Sequence, residues 1–381
     1  MMRKYFAAFL FVCLLLHAGL VFAADSPLVT ARSGILMDQA TGRILFSKNA
    51  HEQLPMASTT KIMTAILAFE SGRMAETVIV SEYASLVEGS AVDLEAGEEK
   101  TVEELVYALM LRSGNDAATA IAEHLGGSVE KFAEKMTRRA RELGATQTSF
   151  LNPHGLHQKE HYSTAYDLAL IGTHAMSLPQ FREVIAQREK RISWTGRPYD
   201  RVLRNQNKLL QLYETANGIK TGWTSLAGRC FVGAAARNGW QLVTVVLNAP
   251  QMWEDTIRLL DFGYAHYHWQ TVIEQGRPLK TVEVQGGMED RVVLLSGELL
   301  GLPLKENEAE LLRFHFEVPK LLRAPLQGGE KVGSLHIYFG SQQVGEVPLV
   351  AASEVRRKGL GGLIWGLFDH LFSFVLVPLH R

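Results

Sequence analysis

Ser58 and Lys61, a serine and a lysine separated by two residues, are the first pair in this sequence whose types and spacing could carry out chemistry. Apolar residues recur at helical spacing through residues 58–70, after Pro55, and on a helix this separation places both side chains on one face. A serine hydroxyl is a weak nucleophile until a base removes its proton. A lysine can be that base where burial or a neighbouring cation lowers its pKa. The pair would therefore support covalent catalysis through Ser58, with the helix N-terminus stabilising the negative charge that develops there.

This spacing alone is not specific, because Ser128 and Lys131 repeat it elsewhere in the chain. Two further motifs follow Ser58 in order. Ser113-Gly114-Asn115 lies at the junction of two predicted helices, and Lys220-Thr221-Gly222 lies on a predicted strand. The ordered set of three is the signature of penicillin-binding proteins and β-lactamases. We therefore interpret the second serine–lysine pair as a coincidence.

With these three motifs, the chain resembles the low-molecular-weight penicillin-binding proteins, the serine-type D-alanyl-D-alanine carboxypeptidase family. Two other segments also resemble that family, residues 152–167 after the third predicted helix and residues 205–210 before the strand of Lys220. The resemblance covers nearly the whole chain. It implies an enzyme that removes the terminal D-alanine from peptidoglycan pentapeptide stems through an acyl-enzyme on Ser58, without a cofactor.

The resemblance also implies a role for each motif residue in catalysis. Lys61 would accept the proton of Ser58, Ser113 and Lys220 would pass a proton to the departing D-alanine, and Asn115 would hold the peptide backbone of the substrate. Two lysines in one cleft would lower each other's pKa, which would help Lys61 to act as a base.

Substrate binding is expected along the strand that carries the third motif. Lys220 and Thr221 would bind the terminal carboxylate, and Gly222 and Trp223 would continue the binding strand. The backbone amides of Ser58 and Trp223 would form the oxyanion hole. Some family members carry an arginine for the carboxylate just after the strand that here ends at residues 247–250, and this chain has none there. Carboxylate binding would then rest on Lys220 and Thr221, alone or with Arg258 or another basic residue.

The elements that must position these residues predict an α+β fold of the β-lactamase/transpeptidase type over residues 25–268. Two short strands, 34–37 and 43–46, precede predicted helices over 58–70, 101–111 and 115–125. Three strands, 218–223, 230–236 and 241–246, then precede a helix over 253–266. This order suggests an antiparallel sheet built from both ends of the segment, with helices packed on it.

The remainder of the chain has a different pattern. Short alternating runs separated by glycines predict a small β-sandwich domain over residues 270–353. Apolar residues at helical spacing over 356–381 predict an amphipathic helix that lies in a membrane interface, although a helix docked on the β domain is an alternative.

The N-terminus predicts export. Residues 1–23 combine two basic residues, an apolar run and small residues before position 24, which is typical of a cleaved signal peptide; a retained N-terminal anchor is the alternative. We expect an extracytoplasmic enzyme, attached peripherally to the outer face of the cytoplasmic membrane. Cleavage would leave Cys230 as the one cysteine, and its apolar surroundings predict a buried, inert thiol.

Composition limits the partners. Basic and acidic residues number 39 and 40, and this balance does not suggest a nucleic-acid partner. The expected partners are the stem peptide, β-lactams as covalent inhibitors and the membrane surface. His154, His157 and His161 have spacings that a metal could use, but no cysteine or carboxylate set accompanies them. We therefore expect a solvated loop there and no metal site.

Three other functions remain open from the sequence. A peptidoglycan D,D-endopeptidase breaks the same kind of bond, and a β-lactamase uses the same motifs but ordinarily lacks the β domain and the tail. A non-catalytic wall-binding protein would have no reason to keep Ser58, Lys61 and Lys220 together. The third residue of the preferred stem peptide cannot be deduced.

Overall fold

The computed structural model describes residues 26–359. These form two compact units that divide between Ala265 and His266. The predicted signal peptide, residues 1–23, and residues 360–381 of the predicted tail helix lie outside the described residues.

The first unit contains a five-stranded antiparallel sheet with the strand order β2-β1-β9-β8-β7. Its strands come from both ends of the unit, as the sequence predicts: β1 (Ser33–Asp38), β2 (Ile44–Lys48), β7 (Ala216–Thr224), β8 (Gly228–Arg237) and β9 (Trp240–Leu247). The predicted α+β, transpeptidase-like class is confirmed.

Helices pack on both faces of this sheet. Their bounds are α1 (Lys61–Glu70), α2 (Glu82–Ser85), α3 (Val102–Leu111), α4 (Asn115–Gly126), α5 (Val129–Glu142), α6 (Ala165–Ser177), α7 (Pro179–Ala186), α8 (Leu209–Leu212) and α9 (Met252–His266). Gly172 of α6 lies against Val243 of β9. Gly263 of α9 lies against Leu242, the residue before Val243 on the same strand. Because neighbouring side chains on a strand point to opposite faces, α6 and α9 cover opposite sides of β9.

The starts of two helices differ in how well the sequence predicts them. The capping box at Thr101 and Glu104 forms as predicted and begins α3. The helix predicted over 58–70, in contrast, begins with a 3₁₀ turn at Ala57–Thr60, and regular α-helix starts at Lys61. Ser58 therefore lies in a tight turn, and Lys61 is the first residue of α1.

Two small antiparallel strand pairs are joined by a buried charged cluster. The first is β3 (Thr77–Ile79) with β4 (Glu99–Thr101), which α2 separates along the chain, and the second is a hairpin of β5 (Glu189–Ile192) with β6 (Arg201–Arg204). One Glu98 oxygen lies 3.0 Å from Lys100 Nζ and 3.0 Å from a guanidinium nitrogen of Arg201. The Trp194 ring stacks on Arg201 at 4.4 Å. This cluster, which the sequence analysis did not anticipate, ties the β5–β6 hairpin to the segment that precedes α3.

The second unit is rich in β-structure. A six-stranded sheet has the order β14-β16-β17-β12-β11-β15, and β10 pairs with β13. The strands are β10 (His268–Ile273), β11 (Pro278–Gln285), β12 (Arg291–Ser296), β13 (Leu300–Leu304), β14 (Leu312–Glu317), β15 (Leu321–Arg323), β16 (Lys331–Phe339) and β17 (Gln342–Ala351). The unit has its own core, which includes Leu294, Leu302 and Ile337. The predicted β-rich domain is confirmed. Within residues 26–359, no helix is both long and apolar enough to cross a membrane.

Candidate active site

Lys61 lies at the centre of a buried hydrogen-bond network that includes Ser58. Its Nζ is 2.9 Å from Ser58 Oγ, 2.7 Å from Asn115 Oδ1 and 2.8 Å from the backbone oxygen of His154. The lysine is fully buried. An ammonium would donate all three of its protons here, whereas a neutral amine can donate to Asn115 and His154 and accept the proton of Ser58.

The electrostatics favour the neutral amine. Burial lowers the pKa of Lys61 well below its usual value, the charge of Lys220 lowers it further, and the carboxylate of Asp116 opposes these effects in part. Burial also lowers the pKa of Lys220, to about 7. Lys61 therefore has the environment that a general base requires near neutral pH.

The second motif occupies the junction between α3 and α4. Ser113 has φ of +65°, a left-handed conformation that is unfavourable for a residue other than glycine and is found at functional sites. Asn115 is the first residue of α4, and its backbone N–H donates to Ser90 O at 2.7 Å. Its side-chain Nδ2 donates to Glu88 O at 2.6 Å. Asn115 thus joins Lys61 to the loop that follows α2.

Asp116 fixes the same loop from the next position of α4. Its Oδ2 accepts hydrogen bonds from the backbone N–H groups of Val92 at 2.9 Å and Leu94 at 3.1 Å. The side chain is buried, and a carboxylate in the first turn of a helix is also stabilised by the helix dipole. The two residues after Gly114 therefore hold both Lys61 and the loop that forms one wall of the cleft.

The third motif lies on β7, directly beside the turn that carries Ser58. Lys220 is buried, and its Nζ donates to Thr221 O at 3.1 Å. A Cβ atom on Gly222 would lie 2.9 Å from the backbone nitrogen of Ser58, closer than carbon atoms normally approach. Glycine is therefore required at position 222 for β7 to approach the turn that carries Ser58. The side chain of Trp223, in contrast, is 67% exposed at the edge of the cleft.

The loop after α5 presses on the same turn, which the sequence analysis did not anticipate. Asn152 Oδ1 accepts a hydrogen bond from the N–H of Gly155 at 2.7 Å, and Thr64 of α1 donates to Pro153 O at 2.6 Å. Gly155 has φ of +91°, and a Cβ atom there would lie 1.9 Å from Ala57 O. The loop is therefore packed directly against the residue before Ser58.

Two of the three histidines in this loop are buried, so the expectation of a solvated loop is wrong for His154 and His161. His161 Nδ1 accepts from the N–H of Leu151 at 3.0 Å, which leaves Nε2–H to donate to Thr60 Oγ1 at 2.8 Å. Burial, together with neighbouring positive charge, lowers the pKa of His154 to about 3 and that of His161 to about 4. Both rings are therefore neutral and structural, while His157 is exposed.

The first two motifs, the end of β7 and the loop at residues 154–156 border an open cleft of about 450 Å³. Ser58 and Asn115 line it together with Leu156, Trp223 and Thr224. Arg258, considered above for the substrate carboxylate, instead pairs with Asp255 at 3.4 Å. Cys230 is buried as predicted, and burial raises the pKa of its thiol to about 11.

Comparisons with known proteins give a family match for each of the two units. A family model described as D-alanyl-D-alanine carboxypeptidase matches residues 20–251, and one described as penicillin-binding protein 5, C-terminal domain, matches residues 267–357. The D-alanyl-D-alanine carboxypeptidase DacF of Bacillus subtilis is 31% identical over 345 residues, which cover 86% of this chain and 87% of the relative. DacC of Escherichia coli is 30% identical over 98% of this chain and 95% of its own length. The solved structure of penicillin binding protein 5 from Haemophilus influenzae matches with a TM-score of 0.74 and 27% identity, over 88% of this chain and 100% of that one.

Proposed function

Because the chain belongs to the D-alanyl-D-alanine carboxypeptidase family, we propose that Ser58 is the nucleophile of a serine-type carboxypeptidase acting on peptidoglycan stem peptides. The resemblance and the carboxypeptidase activity inferred from the sequence are confirmed by these matches. The relatives named above are carboxypeptidases, so the endopeptidase and β-lactamase alternatives are not favoured.

One observation carries the assignment of the nucleophile. The Nζ atom of a fully buried Lys61, with a pKa far below its usual value, lies 2.9 Å from Ser58 Oγ. A neutral amine at this distance can remove the hydroxyl proton while Ser58 attacks the carbonyl between the two D-alanines. The backbone amides of Ser58 and Trp223 stabilise the resulting oxyanion.

The remaining motif residues complete the reaction. Ser113 and Lys220 pass a proton to the nitrogen of the departing D-alanine, and the C–N bond breaks to leave an ester on Ser58. Asn115 holds the substrate backbone, while Lys220 and Thr221 bind the terminal carboxylate. Water then hydrolyses the ester and frees the shortened peptide. β-Lactams act as covalent inhibitors because they acylate the same serine.

A direct assay tests this function. The purified protein is incubated with diacetyl-Lys-D-Ala-D-Ala, and free D-alanine is measured. We expect release of one D-alanine per peptide and a penicillin adduct on the proteolytic fragment that contains Ser58. Absence of D-alanine release together with an adduct on another serine would contradict the proposal.

The pKa of Lys220 predicts an alkaline limit for activity. The lysine is protonated below about pH 7 and loses its charge as the pH rises through that value, so kcat/KM, which reports the free enzyme, should fall there. Lys220→Arg keeps a positive charge at every working pH. We expect this variant to retain part of the activity, with its alkaline limb displaced upward by more than about one pH unit. Lys131→Arg is the control, and a limb that does not move in Lys220→Arg would contradict the assignment.

We also propose that the enzyme works outside the cytoplasmic membrane, held at its outer face by the helix predicted over residues 356–381, whose apolar residues lie within 360–381. The helical spacing of apolar residues in this segment supports an interfacial helix. Truncation after Gly359 should move the protein from the membrane to the soluble fraction without changing its release of D-alanine. If the truncated protein stays with the membrane in a flotation assay, the segment is not the anchor.

A further inference from the structure

A second groove continues from the active-site cleft. It has a volume of about 520 Å³ and lies between α2, the start of α5 and residues 151–158. His154 and Leu156 line both this groove and the cleft that contains Ser58. The groove and the cleft are therefore adjacent at these two residues.

One part of the wall of this side groove is apolar and open to solvent. Tyr83, Leu86 and Leu151 line it, and their exposed fractions are 61%, 72% and 40%. Single exposed apolar residues are common on protein surfaces, but several around one concave surface indicate a binding site. The walls are suited to an aliphatic chain.

The charge of the side groove is negative. Glu88 and Glu130 contribute carboxylates to the lining, and none of the lining residues in the described part of the chain is a lysine or arginine. Hydrogen bonds from its own backbone N–H and from the Ser128 hydroxyl lower the pKa of Glu130, so it is ionised at neutral pH. The side groove therefore favours a ligand that ends in a cation.

The position of the side groove matches one part of the substrate. The proposed carboxylate contacts, Lys220 and Thr221, fix the C-terminal end of the peptide on β7. The residues before the scissile bond then occupy the rest of the cleft, whose lining includes Leu156. Asn115, which is proposed to hold the peptide backbone, donates to the backbone oxygen of Glu88 at 2.6 Å. The rim of the side groove is thus attached to the residue that positions the peptide.

We infer that the side groove binds the side chain of the stem-peptide residue that precedes D-Ala-D-Ala, and that it selects an aliphatic chain ending in an ammonium group. The methylene groups lie against Leu86 and Leu151, and the ammonium lies near Glu88 and Glu130. This inference rests on the proposed function, because it takes the orientation of the peptide from it.

The test compares two peptides that differ by one charge. Nα-acetyl-Lys-D-Ala-D-Ala carries a free ε-ammonium, and the diacetylated peptide does not. We expect kcat/KM of the unmodified protein to favour the free ammonium by about three- to tenfold at low salt, with the ratio falling as salt is added. In the double variant Glu88→Gln/Glu130→Gln the ratio should fall to about one. Glu82→Gln, on α2 but outside the side groove, should keep the original ratio.

A second variant tests whether the ammonium lies in the side groove, independently of the glutamates. Leu86→Arg places a cation on an exposed position of the side groove and should bring the ratio below one. Equal kcat/KM for the two peptides in the unmodified protein, or a preference that the double variant keeps, would overturn the inference while D-alanine release still supports the proposed function. No D-alanine release from either peptide would instead overturn the proposed function. Penicillin acylation of Ser58, measured in each variant, shows that its active site is folded.

Discussion

Ser58→Ala should release no D-alanine and form no penicillin adduct, and Lys61→Met should acylate at least about a thousandfold more slowly than the unmodified protein. Methionine keeps much of the volume of lysine in this fully buried position, but it offers no base to Ser58. It also leaves Asn115 Oδ1 and the backbone oxygen of His154 without their donor. The measurements are D-alanine release and the rate of adduct formation by mass spectrometry.

The chain supplies its own matched control. Ser128 and Lys131 have the same spacing as the proposed catalytic pair, but Ser128 caps α5 and accepts from the backbone N–H of Lys131 at 3.2 Å. Lys131→Met should therefore leave acylation within about twofold of the unmodified rate. If Lys61→Met and Lys131→Met slowed acylation to a similar extent, the loss would not be evidence that Lys61 is the base. A Lys61→Met variant that acylates normally would remove Lys61 from the mechanism.

Glu98→Gln should lower the free energy of unfolding of the first unit by about 3–5 kcal/mol, because it leaves two cations buried without a carboxylate. The side chains of Lys100, Arg201 and Glu98 are 0%, 5% and 1% exposed. Burial alone would raise the pKa of Glu98, but hydrogen bonds from Arg201, the Glu95 amide and Lys100 hold it below its usual value. The carboxylate is therefore charged at neutral pH, and a neutral amide cannot replace it.

Thermal unfolding measures this effect, as a fall in the midpoint of roughly 6–15 °C. Glu189→Gln is the control, since Glu189 pairs with Arg204 at the surface and its loss should cost less than about 1 kcal/mol. A change of under about 1 kcal/mol in Glu98→Gln would show that water reaches the cluster and replaces the lost charge.

The three motifs of the candidate site were predictable from the sequence, whereas the buried contacts that hold them in place were not. Ser58, Asn115 and Lys220 belong to short motifs whose order identifies them, and the strands around Lys220 have clear alternation. The buried His154 accepts a hydrogen bond at its backbone oxygen from Lys61, which lies 93 residues earlier in the chain. No local pattern encodes such a contact, and a histidine between proline and glycine is typical of a surface loop.

The charged cluster was missed for a related reason. Glu98, Lys100 and Arg201 are charged residues in or beside short strands, where they would ordinarily be exposed. Their burial becomes visible once the β5–β6 hairpin is placed against the segment before α3. In the same way, the 3₁₀ turn at Ser58 follows from the close approach of Gly222 and Gly155 to its backbone, since apolar periodicity cannot distinguish a tight first turn from a regular one.

The central sheet sets the order in which the first unit can be built. Its second strand in spatial order, β1, pairs along its length with β9, and Thr30 donates to Asp255 across 225 residues of sequence. Contacts of such long range are formed late and slowly, because the entropy of closing the loop must be lost before they stabilise the chain. A ribosome that has made every catalytic motif still holds a chain whose sheet lacks β8 and β9. The central sheet therefore cannot be complete until β9 has also been made.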